Sequence, residues 1–345
     1  MPLPRPSDAK PDSAELLDLR EYEKIIVSFS GGKDSTACVL HLLDLGVPRA
    51  CIELWHQCID GDPKDSEPFF DWPVTEAYVE AFAQAMEIPL LYQWREGGIE
   101  REMLKQNQAT ARAGFELPDG NVMYSGGTGG KKTRLKFPAP VRDLRTRWCT
   151  PILKIDVDAM VYTNDPRFKT GCTVVELTGE RRQESGNRAK YAEVEPHKSA
   201  SKKRRIEHWR AVIDWTEEEV WDALKRHNIN PHPCYHLGWS RCSCFPCIFG
   251  DPRDFASVRE IDLTLFRTLE ELEETFRSTI RMDRTPIGEW AKRECKRGCG
   301  PYVDMQKDRA MIQQALSQEY NPQDIFVKGT WKPPRGAFGH SGGPV

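Results

Sequence analysis

Lys24 to Phe29 (KIIVSF) is an apolar, largely β-branched run, the pattern of a strand buried on both faces of a parallel sheet. From Ser35 to Leu45 (STACVLHLLDL) apolar residues recur at helical spacing until Gly46 and Pro48 break the pattern, which predicts a helix. Between them lies Ser30-Gly31-Gly32-Lys33-Asp34-Ser35, so the local order is strand, glycine-rich loop, helix. Ala50–Trp55 predicts a second strand, Val74–Met86 a helix and Pro89–Trp94 a third strand. Thr173–Leu177 predicts another buried strand, and Asp214-Trp215-Thr216 before three glutamates marks a helix start with an acidic first turn. Strands alternating with helices imply βαβ units, hence an α/β fold with a parallel sheet flanked by helices.

Near Asn228 the pattern changes, and Pro231, Pro233, Cys234 and a cysteine cluster lead into helical stretches near 254–294. This divides the chain into a flexible leader (1–19), a nucleotide-binding domain (20–230), a smaller, mostly helical C-terminal region carrying the cysteines (231–330) and a flexible tail (331–345). With 345 residues, 39% of them hydrophobic and 29% charged, the chain can build a full-sized core. A net charge of -3 excludes a basic field over the whole protein, so nucleic acid could be gripped only by local patches. No apolar run is long enough for a membrane span and the start lacks a signal-like apolar segment, so a cytoplasmic protein is expected. In that setting eleven cysteines read as thiols or metal ligands before disulfides.

A buried strand opening into Ser-Gly-Gly-Lys-Asp-Ser before a helix lets successive N–H groups converge on an anion. Lys33 adds a mobile positive charge, Ser30, Ser35 and Ser28 offer hydroxyls to phosphate oxygens, and Asp34 either orients Mg²⁺ or caps the helix. A tight turn with glycines for geometry alone is the plainer reading, and strand and helix together argue against it. Glycine and lysine spacings fit neither the Walker loop nor the dinucleotide fingerprint.

Ser30 to Ser35 resembles the SGGxDS loop of the N-type ATP pyrophosphatases, the PP-loop superfamily of adenine nucleotide alpha hydrolases. Thr146-Arg147-Trp148-Cys149-Thr150 with Leu153-Lys154 and Gly179 to Ser185 with Arg188 extend the resemblance to the PAPS reductase-like branch, as does Ile213-Asp214-Trp215. The resemblance covers about 22–250 and implies a Rossmann-like (HUP-type) sheet. It implies that Ser28, Ser30, Gly31, Gly32, Lys33, Asp34, Ser35, Gly179 and Arg181 bind ATP, with Lys33, Asp34 and Arg181 catalytic and Mg²⁺ present. The chemistry implied is cleavage of ATP to AMP, or an adenylated substrate, and pyrophosphate.

Cys242, Cys244 and Cys247 form C-x-C-x-x-C, close enough for three thiolates to face one ion or cluster; Cys149 is the first choice for a fourth ligand and Cys234 the second. Four thiolates suit Zn²⁺ as well as a [4Fe–4S] cluster, and the resemblance favours the cluster. Cys38, Cys51, Cys58 and Cys172 are expected in the core, and Cys295 and Cys299 at the surface. The C-terminal E-C-G-x-H of thiol-dependent PAPS reductases is missing, since Pro301 to Val345 holds no cysteine, and Cys149 stands alone where iron–sulfur reductases carry a cysteine pair. Two basic segments, Gly126–Phe137 and His197–Arg210 with Trp209 for stacking, are candidate contacts for nucleic acid, or mobile solvated loops. The expected function is thus an ATP alpha-hydrolase or adenylating enzyme, with a nucleic-acid substrate for sulfur transfer, a sulfur-donor protein and a homodimer as candidate partners. Related proteins also serve as accessories of phage, plasmid or CRISPR defence loci. The alternatives are a PAPS or APS reductase and a non-catalytic nucleotide- or nucleic-acid-binding module.

Overall fold

The computed structural model describes residues 17–339 apart from 142, 170, 296 and 297. Its eight strands are β1 (Lys24–Ser28), β2 (Ile52–Cys58), β3 (Leu90–Arg95), β4 (Arg112–Glu116), β5 (Val122–Gly126), β6 (Cys172–Leu177), β7 (Val194–Pro196) and β8 (Arg204–Trp209). They form one sheet in the order β5-β4-β3-β2-β1-β6-β8-β7. β3, β2, β1, β6 and β8 run parallel, β4 pairs antiparallel with β3 and β5 antiparallel with β4 on one side, and β7 pairs antiparallel with β8 on the other. The predicted βαβ sheet is therefore present, with edge strands that the sequence patterning did not reveal.

Helices α1 (Lys33–Asp44), α2 (Thr75–Met86), α3 (Gly98–Leu104), α4 (Asp156–Asn164) and α5 (Glu217–Arg226) belong to the nucleotide-binding half. The apolar run of β1 is buried on both faces as expected: Val27 packs into the core that holds Ala37, Leu40 and Val220, and Ile26 into a second core with Trp55, Tyr162 and Val174. Each such large side chain stabilises by about 1.5–3 kcal/mol. α5 starts where the acidic first turn predicted, closed by a Thr216–Glu219 capping box.

The later helices are α6 (Pro233–His236), α7 (Pro252–Ile261), α8 (Leu263–Phe276), α9 (Ile287–Trp290) and α10 (Arg309–Ala315). One apolar core runs across residue 230, joining Trp72 and Tyr78 to Tyr235, Phe245, Phe266 and Ile325. Residues 331–339, expected as part of a flexible tail, are packed instead: the Trp331 indole donates to Ile229 O at 2.7 Å and Gly336 N donates to Tyr235 O at 2.8 Å. The rest of that tail and residues 1–16 of the expected leader lie outside the described residues. Of the cysteines assigned to the core, Cys38, Cys58 and Cys172 are buried, whereas Cys51 is exposed in the turn before β2.

Candidate nucleotide-binding site

The chain builds β2 and β3 on one side of β1 and β6 and β8 on the other, so the carboxyl ends of β1 and β6 flank the topological switch point where α/β sheets bind ligands. The Ser30–Ser35 loop sits there. Gly31 has φ +72°, and a Cβ on it would stand 3.0 Å from Val79 Cγ1, so backbone geometry and space both demand glycine. Ser35 Oγ accepts from Ser30 N at 3.3 Å and donates to Gly32 O at 3.0 Å, closing the loop on itself. α1 then opens at Gly32, which has no side chain to cap it, so the positive end of the helix dipole faces the loop.

Lys33, expected as a mobile charge, has a side chain only 4% exposed, with its Nζ 3.1 Å from Asp34 Oδ2 and 3.9 Å from Glu217 Oε1. The correction follows from α5, which packs against α1 and brings Glu217 over the ammonium. Arg181 Nε donates to Asp34 Oδ1 at 2.7 Å, and its Nη1 donates to Gln183 Oε1 at 2.8 Å, which also accepts Glu217 N at 2.9 Å. Gly179 lies against the same turn, where a Cβ would meet Asp34 backbone carbon at 2.8 Å. The predicted residues Lys33, Asp34, Gly179 and Arg181 are thus brought together across 147 residues of sequence.

Burial works against the Asp34 charge, but Lys33 and then Arg181 outweigh it and hold the carboxyl down at about 2. Against roughly 3.9 for an unfolded aspartate, the group adds stability at neutral pH that is lost as pH falls from about 4 through about 2. Asp34→Asn should therefore flatten that arm of the acid-unfolding curve by about 2 kcal/mol, measured as the pH dependence of chemical denaturation.

Tyr235, which no spacing in the sequence marks, joins the loop to the cysteine segment. Its hydroxyl accepts Lys33 N at 2.9 Å and Cys242 N at 3.1 Å. Tyr235→Phe strands both buried donors and should destabilise the protein by about 2 kcal/mol in urea denaturation.

The structure divides the predicted cysteine set. Cys242 lies with His232 and Cys234, their ligand atoms all within 4.8 Å of one another, and its Sγ is 4.0 Å from Ser30 O beside the loop. Cys149, in the turn before Pro151, is raised in pKa by burial and then by Cys247; Cys244 is raised by burial, then by Asp71 and Cys247. Cys149 and Cys244 thus each feel the Cys247 thiol, and all three are partly buried. Thiols are a donor type that suits either a cluster or Zn²⁺, each of which takes the thiolate form. Cys234, the alternative fourth ligand, stands on the Cys242 side of this division. His232 was missed because a single histidine between two prolines carries no metal spacing of its own.

Ser28 points away from the loop: its Oγ donates to Glu176 Oε1 at 2.7 Å, on the wall of a cavity of about 540 Å³ that also holds Thr178, His197 and Arg210. The basic segments are not free strips of charge. Trp209 is 0% exposed, packed in the main core beside His41 of α1, which removes it as a stacking platform. Arg134 is held by Glu102 at 2.9 Å and lies over Trp148, while Lys132 pairs with Gln108, so Gly126–Phe137 is anchored in its second half.

Sheet, loop and the Gly179–Arg181 wall together form an α/β fold with a glycine-rich loop at its switch point. Residues 165–249 match the phosphoadenosine phosphosulfate reductase domain, so that part of the chain is similar to the PAPS reductase-like branch of the PP-loop superfamily. It is 28% identical over 255 residues to an uncharacterized 37.8 kDa protein of Escherichia phage 186, spanning 68% of this chain and 69% of that one. Over 71 residues it is 34% identical to the adenosine 5'-phosphosulfate reductase of Burkholderia cepacia, which is 21% of this chain and only 27% of the reductase. Candida glabrata FMN adenylyltransferase, solved with FAD and pyrophosphate, aligns over 94% of this chain and 86% of its own at a TM-score of 0.38 and 12% identity, too distant to bear on function. Among the described residues no helix is long and apolar enough to cross a membrane.

Proposed function

We propose that the protein binds Mg²⁺-ATP with its β- and γ-phosphates in the Ser30–Ser35 loop and cleaves it at the α-phosphorus, giving AMP or an adenylated acceptor plus pyrophosphate. The observation that carries this reading is the loop at the switch point, backed by the N-terminus of α1 and faced by Arg181. Loop N–H groups and the α1 dipole hold the leaving pyrophosphate, and in-line attack by water or an acceptor oxygen needs no protein nucleophile. Lys33 and Arg181 are paired through Asp34, so an entering polyphosphate can draw both cations from one carboxylate. Asp34 then becomes available to Mg²⁺, whose role is to take up charge on the departing oxygens.

A nucleic-acid acceptor and a sulfur donor extend this reading, as does service in a phage or plasmid defence locus; similarity to a phage protein supports that setting. Cys149, Cys244 and Cys247 with Cys242 would hold a [4Fe–4S] cluster or Zn²⁺, which separate by iron and labile-sulfide analysis of anaerobically purified protein. The reading is tested by incubating that protein with Mg²⁺ and ATP and separating the nucleotides by chromatography. AMP with pyrophosphate supports it, and ADP contradicts it. A sulfonucleotide reductase remains the second reading, favoured by the short match to the reductases, and sulfite released from PAPS or APS with a thiol donor is its mark.

A further inference from the structure

We propose that Asp158, Glu176 and His197 form a binding site for one divalent transition cation in the wall of the cavity beside β1. The three come from separate elements: Asp158 from α4, Glu176 from β6, and His197 from the residue after β7. His197 Nε2 is 3.6 Å from Asp158 Oδ2 and 3.5 Å from Glu176 Oε2. Those separations are too long for good hydrogen bonds. They match the roughly 3.4 Å between two ligands on one tetrahedral ion with bonds of about 2.1 Å.

Two further observations point to a ligand. Asp158 is 5% exposed, and its Oδ1 has no hydrogen-bond partner although the residue lines the cavity. Glu176 is instead aimed and locked, accepting from Ser28 Oγ at 2.7 Å and from Tyr162 Oη at 3.0 Å, the outer support that ligating carboxylates have. Two carboxylates buried side by side call for a cation or a proton between them; the Lys198 ammonium pulls on Asp158 from the cavity wall but donates its hydrogen bond to Ile155 O.

His197 Nδ1 accepts Ser199 N at 3.3 Å; coordination through Nε2 moves the ring proton to Nδ1 and gives up that long contact. One imidazole with two carboxylates suits Mn²⁺, Fe²⁺ or Zn²⁺ better than Mg²⁺. Three protein ligands leave positions open toward the cavity, where an oxygen of a substrate phosphate, carboxylate or hydroxyl would complete the sphere. Ser28, two residues before the loop, couples this site to the nucleotide end of β1. The cation site does not depend on α-phosphate chemistry.

The test is an electron paramagnetic resonance titration of chelator-treated protein with Mn²⁺ alone, without nucleotide, since Mn²⁺ has little affinity for thiolates. Expected is loss of the free-ion signal at one equivalent, reversal by added Zn²⁺, and affinity weakened about tenfold or more in Asp158→Asn and in His197→Gln. Near-UV circular dichroism identifies whichever variant keeps its fold, and the comparison is read on that one. A wild-type titration that leaves all Mn²⁺ free, or binding that survives unchanged in a folded variant, overturns the proposal.

Discussion

Lys33→Ala should lower the rate of ATP cleavage by about 10²–10³-fold, with a loss of about 1–3 kcal/mol in stability that leaves the protein folded. The ammonium sits between Asp34 and Glu217 at the start of α1, its side chain 4% exposed, where no water can replace it as a counter-charge. Truncation removes charge from the position where the leaving pyrophosphate gains it, so the loss falls on kcat more than on KM. Removing the ammonium also leaves Asp34 with Arg181 as its remaining partner at 2.7 Å, which is why the fold survives. Single-turnover rates of AMP formation by wild type and variant measure the effect. A change in KM alone would show that Lys33 binds ATP without acting on the transition state.

Gly179→Ala is expected to weaken ATP binding by about 10- to 100-fold and to destabilise the protein by about 1–3 kcal/mol. The added methyl would stand 2.8 Å from the Asp34 backbone carbon and 3.0 Å from its carbonyl oxygen, and backbone cannot rotate aside as a side chain can. Either the strand end carrying Thr178 and Gly179 or the first turn of α1 must move. Both carry parts of the phosphate site. Isothermal titration with a slowly cleaved ATP analogue, alongside urea denaturation, separates the two components. Gly129→Ala, at a glycine with open space around it, should be neutral in both.

The strand-loop-helix unit was legible because a buried-strand run and a helical run abut the glycines directly, and Gly31 at positive φ is a requirement that sequence can signal. Gly179 and Arg181 emerged only through resemblance, since a basic turn after a strand has no chemistry of its own until Asp34 meets it. Tyr235 and Glu176 were out of reach for a physical reason. Their partners Lys33 and Ser28 lie 202 and 148 residues away, and neither residue type is rare enough to mark a site. For Cys242, the nearness of His232 and Cys234 is something the C-x-C-x-x-C spacing does not display. Sequence also misjudged Trp209. A tryptophan among lysines and arginines looks exposed, yet it projects from the sheet face that α1 covers, beside His41.

The most direct test of α-phosphate chemistry uses two ATP analogues in which one bridging oxygen is replaced by a methylene group. The account predicts that β,γ-methylene-ATP is converted to AMP and methylenediphosphonate, while α,β-methylene-ATP binds and stays intact. Release of inorganic phosphate from α,β-methylene-ATP, with β,γ-methylene-ATP untouched, would place the cut at the γ-phosphate and contradict it.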